Sequence, residues 1–171
     1  MKLTKWIAAM LAVMAMLSLC ACTVVVDTNE NGEGEKKDEN KTVEIDLGAL
    51  KDKMIADLEI ADSVDVATDM LLDLYGIDGA DVADSACFMT MDGVFPDEVI
   101  MIKAKDADAA KRIADLLNNR LTEVKKQSES YDPDNYALAQ KCTVQTKGVY
   151  VTLFLSPKYA EMTALFNEAA K

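Results

Sequence analysis

Hydrophobic positions change their spacing several times along this 171-residue chain. Residues 6–19 are almost wholly apolar. Residues 23–42 are dominated by Asn, Glu, Gly, Lys and Asp and contain no aromatic. From residue 43 onward, apolar residues recur at helical or alternating intervals. Leu47, Leu50, Met54 and Leu58 predict a helix over 47–58, capped by Asp46. Val66, Met70, Leu71 and Leu74 predict a second over 64–75, capped by Ser63 and closed by Gly76. Strands are predicted over 85–91 and 99–105, with a turn beginning at Asp92-Gly93. Ala110, Ile113, Ala114, Leu117, Leu121 and Val124 mark the longest helix, 107–127, capped by Asp106. Asp132-Pro133 opens a short helical turn, because Pro suits the first helical position. A second hairpin, 142–146 and 149–155, turns at Lys147-Gly148. Ser156-Pro157 opens a last helix carrying Met162, Leu165 and Phe166.

The predicted order is ααββα(α)ββα. Hairpins alternating with helices define an α+β fold, an antiparallel sheet of about four strands packed with helices. In the last strand Val149, Val151, Leu153 and Leu155 face one way, and Tyr150, Thr152 and Phe154 the other. The strand over 99–105 is apolar on both faces, as a central strand covered on both sides would be. The N-terminal helices are predicted to cover the second face, at least in part.

The first 22 residues read differently. Lys2 and Lys5 precede an apolar stretch shorter than the about 20 residues a membrane span needs. A basic flank, a short apolar core and a small residue before the cut make a secretory signal. Leu19-Cys20-Ala21-Cys22 then supplies a lipoprotein cleavage site. Cys20 follows the bulky Leu19, whereas Cys22 follows Ala21 with Leu19 three residues back. Cys22 is therefore the expected lipidated N-terminus. Two acyl chains anchor stably where one does so marginally. The expected organisation is a signal over 1–21, a lipidated Cys22 with a disordered acidic tether over 22–42, and one α+β domain over 43–171. The expected location is the extracytoplasmic face of the cell membrane.

Charge narrows the partners. The chain holds 18 Lys and Arg against 30 Asp and Glu, a formal charge of −12. Removing the signal takes away Lys2 and Lys5, which brings it near −14. Such a surface disfavours nucleic acid, whose phosphates require a basic patch. It also disfavours electrostatic docking on anionic lipid, so the lipid is expected to hold a domain that its charge keeps off the bilayer. The chain has no His. Catalytic devices built on that residue are excluded, and a transition-metal site would need Cys and carboxylates alone.

The remaining candidate chemistry is sparse. Asp27, Asn29, Asn31 and Gly32 match the opening of a calcium loop, but Asp38 stands where the bidentate Glu belongs, so the segment reads as tether. Asp73, Asp78, Asp81 and Asp84 flank Gly76 and Gly79 and read as turn and cap residues. No cofactor, metal ligand or catalytic residue is expected. Cys87 and Cys142 each fall on a predicted strand. They are either small core residues or a disulfide across the sheet, which an extracytoplasmic location permits. Tyr131, Tyr136, Tyr150 and Phe154 form a candidate binding surface, unless helices bury the last two.

Leu74-Tyr75-Gly76-Ile77-Asp78, Glu98-Val99-Ile100 with Lys105-Asp106, Tyr131-Asp132-Pro133 and Gly148-Val149-Tyr150-Val151 carry a resemblance. Over residues 43–166 the chain resembles an uncharacterised domain-of-unknown-function family of small lipoproteins from anaerobic Gram-positive bacteria. The resemblance implies an envelope protein of this architecture and transfers no activity. The expected function is a non-enzymatic, lipid-anchored module that binds an envelope protein. The alternatives are a small-ligand or cation-binding accessory of a transporter, and an envelope hydrolase using paired carboxylates.

Overall fold

The structure is a computed structural model that describes residues 43–91 and 97–171. The signal, Cys20, Cys22, the tether and the Asp92-Gly93 turn lie outside the described residues. Helix α1 (Leu47–Asp57) starts where the Asp46 carboxylate accepts from the Ala49 N–H at 2.9 Å. Strand β1 (Ser63–Val66) follows, then a 3-10 turn and the short helix α2 (Leu71–Tyr75). Gly76 ends α2 at φ 71°, a left-handed conformation that a Cβ disfavours. Strands β2 (Val82–Ser85), β3 (Cys87–Thr90) and β4 (Glu98–Ala104) lead into the 25-residue α3 (Ala107–Tyr131). Helix α4 (Pro133–Lys141), β5 (Val144–Lys147), β6 (Tyr150–Leu155) and α5 (Tyr159–Ala169) complete the domain.

All strand pairs are antiparallel, in the order β1-β3-β4-β6-β5, with β2 also pairing β4. Ser85 opposes Ile102 and Phe88 opposes Val99, which is one unbroken register. Between them the Ala86 N–H still donates to the Met101 carbonyl at 3.0 Å. β2 and β3 therefore act as a single partner for β4, bulged between Val82 and Asp84.

The sheet thus has six strands rather than four. The main correction is the second predicted helix. Its first turn is β1 instead: the β-branched Val64 and Val66 alternate with Ser63 and Asp65, and Val66 alone is buried. Only Leu71–Tyr75 remains α-helical. Met70 and Leu74, expected to face inward, are 45% and 39% exposed.

Helices cover both sheet faces. On one, Ile100, Ile102, Val151, Leu153 and Leu155 pack against α3 (Ile113, Leu117, Leu121, Val124) and against Leu71 and Tyr75 of α2. On the other, Phe88, Val99, Met101, Tyr150 and Phe154 pack against Leu47, Leu50 and Met54 of α1 and Met162 and Phe166 of α5. Phe154 and Phe166 meet edge to face, 6.4 Å between centroids. The two-sided apolar pattern of β4 is therefore met by α1 and α5 on the second face. Val149 departs from the predicted alternation, since it lies in the turn and packs on the side of Tyr150.

Candidate functional site

Glu98 opens β4, a central strand of the sheet, and is itself only 2% exposed. Alternation places it on the α3 side with Ile100 and Ile102. Arg120 of α3 closes on it with two bonds: Nε donates to Oε2 at 3.1 Å, and Nη2 donates to Oε1. Such a two-pronged pair fixes both groups in one plane. Tyr75, the last residue of α2, donates its hydroxyl to Met89 Sδ at 3.7 Å. Burial, and then the neighbouring Glu98 carboxylate, hold the Tyr75 phenol well above its ordinary range. The hydrogen bonds to Glu98 likewise raise the Arg120 guanidinium.

A second network occupies the same end of the sheet. Thr90 and Asp97 exchange backbone and hydroxyl bonds at 3.1 and 3.0 Å. Ser156 donates its hydroxyl to Asp97 Oδ2 at 2.7 Å and accepts the Lys158 N–H at 3.2 Å. Ser156 therefore ties the end of β6 to the start of β4, and α5 begins three residues later at Tyr159. The Glu98 carboxylate is matched by a permanent cation, and the Tyr75 phenol stays protonated near neutrality. This arrangement holds α2, β4 and α3 in one geometry. The signal for it in the sequence is an acid directly before the apolar run 99–102 and an arginine bordering the apolar stripe of a helix.

The predicted aromatic surface is not one surface. Tyr150 and Phe154 are each 2% exposed, beneath α1 and α5. Tyr131, at the end of α3, is 89% exposed, and Tyr136 on α4 is half-buried. Cys87 and Cys142 are both free and buried rather than joined. Cys142 ends α4 instead of sitting on a strand, and donates its thiol to the Leu138 carbonyl at 3.4 Å. Cys87 donates to the Met101 carbonyl at 3.6 Å, and burial pushes its thiol up to about 12. Burial also raises the Cys142 thiol.

The acidic run around Gly76 disperses into local roles. Asp78 accepts from the Ala80 N–H at 2.8 Å, and Asp84 from the Ser85 N–H at 2.8 Å. Asp81 pairs with Arg112 at 2.8 and 2.6 Å, which holds its carboxyl below the usual range. Among the described residues, no group of three or more Cys, Asp or Glu is placed to hold a metal ion. Nor, among them, is any helix long and apolar enough to cross a membrane.

Exposed apolar side chains concentrate instead. Val64, Met70, Leu72 and Leu74 are 52%, 45%, 57% and 39% exposed within one short segment. Met91, 70% exposed, joins them through its N–H bond to the Asp62 carbonyl at 3.2 Å. This side of the domain, built from β1 and α2, is where unspent hydrophobic surface gathers.

An antiparallel sheet with helices on both faces, clamped by a pair between the buried Glu98 and the partly exposed Arg120, is the framework of this domain. A family model described as Domain of unknown function (DUF4358) matches residues 54–156, and the chain belongs to that family. The matched region takes in all six strands and α2 to α4, and stops before α5. Neither a curated protein nor a solved structure matches the chain.

Proposed function

We propose that the protein is a lipid-anchored, non-enzymatic module of the extracytoplasmic envelope that works by contacting another protein. The observation that carries this reading is the cluster of exposed apolar side chains on β1 and α2, in a domain whose sheet faces are both already covered. Leaving Val64, Met70, Leu72 and Leu74 in water forgoes burial worth about 25 cal/mol per Å², and contact with a partner recovers it. The sequence Leu19-Cys20-Ala21-Cys22 supports the anchor, with Cys22 as the lipid acceptor. The contact surface lies on β1 and α2 rather than on Tyr150 and Phe154.

A photo-crosslinking residue at position 72, in intact cells, tests the reading. One discrete crosslinked species is expected, and it disappears when Val64 and Leu74 are both changed to Ser. A diffuse smear equal to that from a probe at the exposed position 126 of α3 overturns it. Palmitate labelling lost on Cys22→Ala but kept on Cys20→Ala is the expected outcome for the anchor.

A further inference from the structure

The stretch of sequence that builds the contact side is free of basic residues. From Met54 to Ile102 the sequence holds 12 Asp and Glu and no Lys or Arg. All 18 basic residues lie outside that segment and balance the other 18 of the 30 acidic ones. The segment builds β1, α2, β2, β3 and most of β4. Four of its acids borrow a cation from elsewhere: Asp57 from Lys53, Asp65 from Lys51, Asp81 from Arg112 and Glu98 from Arg120. Among the described residues Asp62, Asp69 and Asp73 have no ion-pair partner.

Helical spacing arranges what is left. Leu71 and Tyr75 face the core, so Asp69 and Asp73 stand on the opposite, outward side of the α2 turn. Met70 and Leu74 form one shoulder of this ridge and Leu72 the other. We propose that the ridge docks a cationic amphipathic segment of a partner protein, its Lys or Arg meeting Asp69 and Asp73 and its apolar side chains meeting Met70, Leu72 and Leu74. This rests on the contact role proposed above and adds the chemistry of the partner. Anionic lipid and nucleic acid are repelled by the same charge. Exposed ion pairs are weak singly and screened by salt. The aspartates therefore steer and select, and the apolar shoulders hold.

The test uses the full chain with Cys22→Ser, which removes the lipid acceptor, and two labelled synthetic helices, one of Lys and Leu and one of Glu and Leu. At low salt the Lys/Leu helix is expected to bind about tenfold or more tighter than the Glu/Leu helix, with most of that margin lost at high salt. Asp69→Asn with Asp73→Asn weakens binding about fivefold or more. Asp115→Asn with Glu129→Gln, an equal change of charge on α3, leaves it within about twofold. Equal weakening by both pairs overturns the proposal, since net charge alone would then explain the attraction. So does equal binding of the two helices. The position-72 crosslink separates the two readings. If it survives both high salt and Asp69→Asn with Asp73→Asn, the contact role stands and the cationic partner falls. Its absence from the wild type removes both.

Discussion

The Tyr150 hydroxyl accepts a hydrogen bond from the backbone N–H of Ile45 at 3.0 Å, across 105 positions of sequence. The bond joins the entry of the domain to its last strand, beneath α1. It also satisfies two polar groups that would otherwise be buried alone. Tyr150→Phe keeps the ring and orphans the Ile45 N–H. The expected loss is about 1–3 kcal/mol, read as a lower urea midpoint with an unchanged slope.

Breaking the Glu98–Arg120 pair is expected to cost more. Arg120→Met leaves the buried Glu98 carboxylate without its counter-charge, at about 3 kcal/mol, and Glu98→Leu, which leaves the partly exposed Arg120, costs less. Glu98→Leu combined with Arg120→Met recovers most of that loss, because two apolar side chains need no partner. A double-mutant cycle by chemical denaturation measures the recovery. If the losses simply add, the two side chains are not coupled.

The Thr152 hydroxyl is buried and has no hydrogen-bond partner among the described residues. Thr152→Val removes that desolvated oxygen at nearly constant shape. The expected result is a gain of about 1 kcal/mol, visible as a rise in Tm.

Alkaline pH has a defined sign. Folding raises the Cys87 thiol from 9.0 to about 12 and raises the Tyr75 phenol above its ordinary 10.0, in both cases chiefly by burial. A raised folded-state value stabilises below the unfolded value and is lost as pH climbs toward the folded one. Stability is therefore expected to fall from about pH 9 upward, and Cys87→Ala with Tyr75→Phe flattens that fall. The thiols give a parallel check. Wild type and a Cys87→Ala, Cys142→Ala variant are expected to titrate alike when native and to differ by two thiols in denaturant.

The α2 region separates the sequence pattern from the folded packing. Leu71 is fully buried and Leu74 is 39% exposed, although both belong to the predicted apolar stripe. Leu71→Ala is expected to cost about 2–5 kcal/mol and Leu74→Ser under about 0.5 kcal/mol. Thermal unfolding of the two variants decides between the stripe and the observed packing.

The features legible in the sequence are those that act locally. Asp46, Asp106 and Asp132 each cap the helix expected of them, through the Ala49, Ala109 and Asn135 N–H groups. The alternation of β6 places Val151, Leu153 and Leu155 on one face and Tyr150 and Phe154 on the other. β1 was hidden because its four residues bury only Val66, and because a helical period can be threaded through Val66, Met70 and Leu74. β2 was hidden because it pairs only with the far end of β4. The clamp could not be read from spacing. Glu98 and Arg120 are 22 positions apart and meet only after α3 folds back over the sheet. The proposed contact surface differs from the expected one for a related reason: the aromatic side chains of β6 are buried beneath α1 and α5, and the exposed apolar side chains lie on β1 and α2 instead.

The last strand, β6, lies inside the sheet between β4 and β5 rather than at its rim. A chain shortened before residue 150 would therefore not be a trimmed domain but an opened one. It would bare the edge of β4, whose residues 99–102 are apolar on both faces. Such an edge invites pairing with other chains. β6 thus closes an edge of β4 that would otherwise stand open to pairing.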